Sequence, residues 1–199
     1  KSSISEAFLS IQSSLAFSTA NGLPRSLMLT STEAAEGKST SIFGLANVLQ
    51  RTKRKVIIVD VDMRSPSVHD FLGGTNANGV SNFLAGETNW RSMVQQAENS
   101  KLSYIAAGPM PPNAAELLVG DRLAILISEL EKEYDHVLID APPVLGLADA
   151  PLISKLVQGC AYVIQAERVS TRSIRSALSR LRQASPHVYG VIVTKLERR

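Results

Sequence analysis

The sequence predicts an α/β fold in which a mainly parallel sheet is flanked by helices. Three observations lead there. Short apolar runs rich in β-branched residues recur along the chain, as strands buried on both faces require. Helical patterns separate them, so strand and helix alternate. The length of 199 residues, with 44% hydrophobic and 20% charged residues, is enough for a sizeable core and is not the composition of a disordered chain.

Ser5 and Glu6 can start a leading helix within residues 1–20, with Phe8, Ile11 and Leu15 on one face. Leu27–Thr30 reads as the first strand and Ser39–Arg51 as the helix after it. Val56–Val59 is a four-residue apolar run, β-branched throughout, the pattern of a buried parallel strand. Gly79–Leu84 opens a short helical stretch, and Leu102–Ala106 is a strand. Helical spacing of Leu117, Leu118, Leu123, Ile127 and Leu130 predicts a helix over Ala114–Tyr134, running around Gly120. Val137–Ile139 is a strand, Ala148–Val157 a helix, Ala161–Ala166 a strand, Thr171–Ala184 a helix and Val188–Val193 the last strand. No repeat or linker divides the chain, so residues 1–199 read as a single domain.

Several function classes find no support. A net charge of +3, spread along the chain, gives no basic nucleic-acid surface, and Trp90 has no aromatic companions for base stacking. The run Arg51–Lys55 is a solvated helix end that complements the helix dipole. His69, His136 and His187 lack metal-ligand spacing. Cys160, the only cysteine, reads as a core residue and permits no internal disulfide. No apolar run reaches the roughly 18 residues of a spanning helix.

Residues 32–39, Thr-Glu-Ala-Ala-Glu-Gly-Lys-Ser, stand between a strand and a helix, where a phosphate loop belongs. They match G-x-x-x-x-G-K-[ST] except that Thr32 takes the first glycine position. Successive backbone N–H groups from Thr32, Glu33, Ala34, Ala35, Glu36, Gly37, Lys38, Ser39 and Thr40, at a helix start, can still surround a phosphate. Gly37 permits close backbone approach, Lys38 neutralises β/γ-phosphate charge, and the Ser39 hydroxyl suits Mg²⁺. Two further strands end in acids: Val56–Val59 runs into Asp60 and Asp62, and Val137–Ile139 into Asp140. Ligands of open parallel sheets bind beyond the carboxyl ends of the strands, so these groups converge as hard oxygen ligands for a Mg²⁺–nucleotide.

With those motifs in that order, the sequence resembles the bacterial tyrosine autokinases that regulate exopolysaccharide synthesis and export. Lys38 and Ser39 match the family's Walker A motif. Asp60, Asp62 and Arg64 match Walker A′, and Asp140-Ala-Pro142 matches Walker B. Glu6-Ala-Phe8, Gly108–Asn113 followed by Glu116-Leu-Leu118, and Pro142–Leu145 followed by Asp149-Ala150 also resemble it. The resemblance covers nearly the whole chain and implies a P-loop NTPase fold of the partition and septum-positioning ATPase type. Those ATPases carry a lysine five residues before the Walker lysine; Glu33 stands there and favours the kinases.

The resemblance implies an ATP-dependent protein-tyrosine kinase with ATP/ADP and Mg²⁺ as cofactors. Lys38 stabilises the phosphates. Ser39, Asp60 and Asp140 lie at the metal, Asp60 takes the tyrosine proton, and Asp62 assists. It also implies self-association through the leading helix, weakened by Leu9 and Gln12 at the family's arginine positions. Alanine at 34 and 35 replaces the family's Pro-Gly and fits φ > 0 poorly. The implied partners are a transmembrane polysaccharide co-polymerase region, fused or separate, and a tyrosine-rich tail as substrate; nucleic acid is not among them. The four tyrosines present, Tyr104, Tyr134, Tyr162 and Tyr189, all fall inside expected elements. The first residue is not Met, and the chain is expected to be a fragment of a longer membrane protein, working on the cytoplasmic side of the bacterial inner membrane. The alternatives are a catalytically weak nucleotide-binding regulatory module and a partition-type ATPase switch.

Overall fold

The computed structural model describes residues 3–20, 22–98, 100–184 and 186–196. Seven strands form one sheet in the order β3-β4-β2-β5-β1-β6-β7. They are β1 (Ser26–Ser31), β2 (Val56–Asp60), β3 (Val94–Gln96), β4 (Ser103–Ile105), β5 (His136–Asp140), β6 (Gly159–Gln165) and β7 (Val188–Thr194). All pairings are parallel except β3 with β4.

Because side chains alternate along a strand, neighbouring residues of one strand feed two separate cores. On one face Leu27, Leu29, Ile58 and Leu138 pack with Ile42, Leu45 and Leu49 of α2 (Lys38–Arg51) and Leu15 of α1 (Ser3–Phe17). On the other, Met28, Ile57, Val59 and Ile139 pack under α4 (Val80–Leu84), α5 (Ala114–Val119), α6 (Arg122–Glu133), α7 (Asp149–Ser154) and α8 (Thr171–Gln183). Cys160 lies fully buried in this second core, where loss of solvation pushes its thiol up to about 12.

The mainly parallel, helix-flanked sheet is as expected, and most elements lie within a residue or two of their expected ends. The continuous helix over 114–134 is corrected. It breaks into α5 and α6 because Gly120, at φ −68° and ψ 173°, is extended, and Asp121 begins a new helix. The helix over 148–157 is shorter and ends at Ser154. Two elements carried too little signal to find: the antiparallel edge strand β3, whose Gln95 and Gln96 break any apolar pattern, and the five-residue α3 (Val68–Leu72).

Parallel pairing places Leu29 beside Asp140 and Asp60 beside Asp140, so β2 and β5 end at one level and β1 runs two residues past them. The chain after β5 stays attached to β1: Ala141 N donates to Leu29 O, Val144 N to Ser31 O and Leu145 N to Thr32 O, at 3.1, 2.9 and 3.1 Å. The loops that carry the acids are thereby stitched to the loop that starts α2.

Candidate nucleotide site

The loop between β1 and α2 turns through two left-handed residues. Gly37 has φ 94°, a conformation that favours glycine, and an added Cβ there would also press on Thr194 Cγ2 at 3.2 Å. Ala35 has φ 63°, the conformation that alanine resists, so the loop carries strain at the position foreseen from the sequence. Its frame comes from Glu36, whose side chain is fully buried. One carboxylate oxygen accepts from Glu33 N at 2.6 Å and the other from Gln165 N, at the end of β6, at 3.0 Å. Thr194 Oγ1 donates to Glu36 O at 2.7 Å, and Arg168 donates to Ala35 O at 3.0 Å. The loop is therefore strapped to the ends of β6 and β7.

This frame sorts the expected phosphate-binding residues. Ala34, Ala35, Gly37, Lys38, Ser39 and Thr40 line a cavity of about 290 Å³, faced by Asp62, Ser65 and Ser67. Thr32, Glu33 and Glu36 do not line it. Thr32 is buried with its hydroxyl 2.9 Å from Tyr162 Oη, and Glu33 and Glu36 shape the turn.

The acids divide in the same way. Asp62 is nearly buried and borders the cavity, with its carboxylate 3.9 Å from Lys38 Nζ. Burial raises its pKa, and Lys38 opposes the shift. Asp140 accepts from Ser39 Oγ at 2.6 Å through one oxygen, while the other is buried without a partner. Burial raises its pKa to about 6, with Lys38 pulling the other way. Asp60 is fully enclosed: Oδ1 accepts from Asp62 N, and Oδ2 from Ser67 N and Val68 N, each at 3.1 Å. Burial, then the neighbouring Asp140, raises it to about 7. Among the described residues no three acids group into a metal cage, but the orphaned buried oxygen of Asp140 beside the Ser39 hydroxyl offers hard oxygen donors that fit a divalent cation completed by phosphate and water. Lys38 and the loop's cavity fit the phosphates it accompanies.

Some residues at the site were not found from the sequence. Ser67 Oγ is hydrogen-bonded to Ser39 Oγ at 2.7 Å, and Lys195, at φ 53°, closes the cavity from beyond β7. Arg64, matched to Walker A′, is held by buried Asp149 through a 2.8 Å bond from Nε. Ser67 follows a proline in a stretch without periodicity, and Lys195 is far away in sequence, so neither carried a signal.

Residues 29–184 match the family model described as AAA domain. The chain is 33% identical over 196 residues to the putative tyrosine-protein kinase CapB of Staphylococcus aureus, covering 98% of this chain and 86% of that protein. The chain belongs to the bacterial tyrosine-protein kinase family. It is also 34% identical to the tyrosine-protein kinase wzc of Salmonella typhi, but spans only 27% of that longer protein. Among solved structures, the chimerical protein CapA2B2 superposes with a TM-score of 0.93 at 30% identity, covering 100% of this chain and 87% of that one. The kinase domain of Escherichia coli ETK does so at 0.90 and 27%, covering 98% and 78%. A cobyrinic acid a,c-diamide synthase of Mycobacterium smegmatis solved with an ATP analogue and magnesium shares the fold, with a TM-score of 0.72 at 19% identity over 86% of this chain and 75% of that one.

Proposed function

We propose that this chain is the ATP-dependent protein-tyrosine kinase domain of a regulator of exopolysaccharide polymerisation and export. The observation that carries the reading is the convergence of Lys38, Ser39, Asp62 and Asp140 around one cavity at the strand ends, in a chain of this family. The Lys38 ammonium, buried and close to Asp62, meets the β/γ-phosphates of ATP and offsets charge as the γ-phosphoryl group is transferred. Ser39 and Asp140, with Asp60 beside them, would hold Mg²⁺, which supplies further charge neutralisation.

In the transfer, the acceptor tyrosine's phenolic oxygen forms a bond to the γ-phosphorus while the bond to the β–γ bridging oxygen breaks and ADP departs. The phenolic proton goes to a carboxylate. The sequence reading gives that role to Asp60, with Asp62 assisting. Complete burial and three backbone donors on Asp60 argue for exchanging the two. Asp62 borders the cavity and takes the proton; Asp60 anchors the segment that carries Asp62 and Ser67. No described tyrosine suits as acceptor in its own site. Tyr104 and Tyr162 are fully buried, while Tyr134 and Tyr189 lie near the far ends of β5 and β7. The acceptor is a tyrosine-rich tail outside the described residues.

The chain fills most of CapB and about a quarter of wzc, which supports a co-polymerase region either separate or fused. No helix among the described residues is long and apolar enough to cross a membrane. A site on the cytoplasmic side of the inner membrane would therefore be reached through that partner region. The strained Ala35 favours a second reading, a nucleotide-binding regulator with weak catalysis. Transfer of γ-phosphate to a tyrosine-rich peptide separates the two. The kinase labels the peptide and loses labelling in Lys38→Met and Asp62→Asn; a protein that binds ATP–Mg²⁺ yet labels nothing is the regulator.

A further inference from the structure

Phe71 is an exposed aromatic ring, 51% accessible, at the rim of the phosphate cavity. Its position is fixed from the catalytic side. Phe71 N donates to Ser67 O at 3.1 Å, Ser67 N donates to Asp60, and Ser67 Oγ is bonded to Ser39. One helical turn therefore links the ring to the reacting centre. Beyond it lies a second cavity, of about 380 Å³, for which Phe71 is a shared wall. Phe43 stands across from it with ring centroids 6.3 Å apart and planes at 49°. Among the described residues, the only ionisable groups that line this second cavity are Asp70 and Glu98. Asp70 is largely exposed, and the basic side chain facing it within 4 Å among the described residues is the imidazole of His69, with Nε2 at 3.4 Å. Glu98 packs over Gly73, where an added Cβ would meet its Cδ at 2.7 Å.

We propose that this groove receives the acceptor segment, with the tyrosine ring against Phe71 and a basic flanking residue opposite Asp70 and Glu98. The inference rests on the kinase reading and names its substrate. An external acceptor must reach the γ-phosphate from a surface adjoining the phosphate cavity, and Phe71 joins the two spaces. A ring on Phe71 would be held by offset or edge contacts, which reject serine and threonine for lack of area. Two acids with no lysine or arginine among the lining residues favour a cationic neighbour and repel an acidic one.

The experiment uses two peptides, one tyrosine flanked by lysines and one flanked by glutamates, each in a binding assay and a transfer assay. Wild type is expected to bind the lysine peptide about fivefold more tightly, as one exposed charge pair's worth of energy allows. Asp70→Lys combined with Glu98→Lys should invert the preference. Phe71→Ala should raise the peptide KM about tenfold, with the ATP KM unchanged, and Phe71→Tyr should restore it. The ring is exposed, so these variants should fold. A rise in ATP KM rather than peptide KM assigns Phe71 to the nucleotide and overturns the proposal. So does a peptide preference that ignores the charge reversal. Peptide binding that follows the groove variants without any labelling upholds the groove and sinks the kinase reading; labelling that ignores them does the reverse.

Discussion

Replacing Glu36 by alanine tests whether the phosphate loop is shaped by its strap to β6. The carboxylate is buried and receives two backbone donors, Glu33 N at 2.6 Å and Gln165 N at 3.0 Å. Hydrogen bonds to a charged group contribute about 1.5–3 kcal/mol each, so the pair is worth roughly 3–6 kcal/mol. Glu33 is exposed and its N–H can turn to water, which puts the expected loss near the lower end, about 3 kcal/mol. For a chain of this size each kcal/mol moves Tm by about 2–4 °C, so Glu36→Ala should melt about 6–12 °C below wild type. Glu36→Gln keeps one acceptor oxygen but turns an amide N–H₂ toward a backbone donor, and should fall between the two. Thermal unfolding followed by circular dichroism, without nucleotide, reads the difference. A Glu36→Ala midpoint within about 2 °C of wild type would show that the carboxylate does not hold the loop.

Three further outcomes are expected. Ala35→Gly removes the side chain from a left-handed position and should raise Tm by a few degrees, since such strain costs about 1 kcal/mol or more; a lower Tm would mean that the strain is not there. Asp60 and Asp140 are raised to about 7 and about 6, so without metal the folded state holds more protons than the unfolded chain above pH 4. Their contribution is full at low pH and is lost as pH rises toward 7. Denaturant titrations should show Asp140→Asn, which keeps the shape without the charge, gaining on wild type over that interval; a constant difference would refute the shifts. ATP or ADP with Mg²⁺ at millimolar concentration should stabilise wild type and not Lys38→Met, and the absence of any shift in wild type would disprove the nucleotide site.

The parallel sheet was legible because its strands are apolar on both faces, so Val56–Val59 and Val137–Ile139 stand out against any background. The phosphate loop was legible because its residues are contiguous. What stayed hidden depends on tertiary placement. Nothing local distinguishes the enclosed Asp60 from Asp62 on the cavity; the difference arises because the chain folds back so that Ser67 and Val68 donate to one and not the other. Glu36 reads as a loop filler until β6 is brought beside it, and Phe71 belongs to a turn too short for periodicity to register. Gly120 interrupts its helix because an extended glycine was free to begin a new axis, an outcome that the apolar spacing on either side concealed.

The single thiol gives this fold a built-in clock. Cys160 has no exposed surface, sits in the interior strand β6, and has a thiol raised to about 12, so almost none of it is thiolate while the sheet is closed. A disulfide reagent can reach it only when the helices over that core lift from the sheet or β6 parts from its neighbours. At high reagent concentration the labelling rate then equals the opening rate of this core, and at low concentration it reports the open population. No residue has to be engineered for that measurement, and saturation with nucleotide should slow it to the extent that the ends of β6 and β7 are clamped from above.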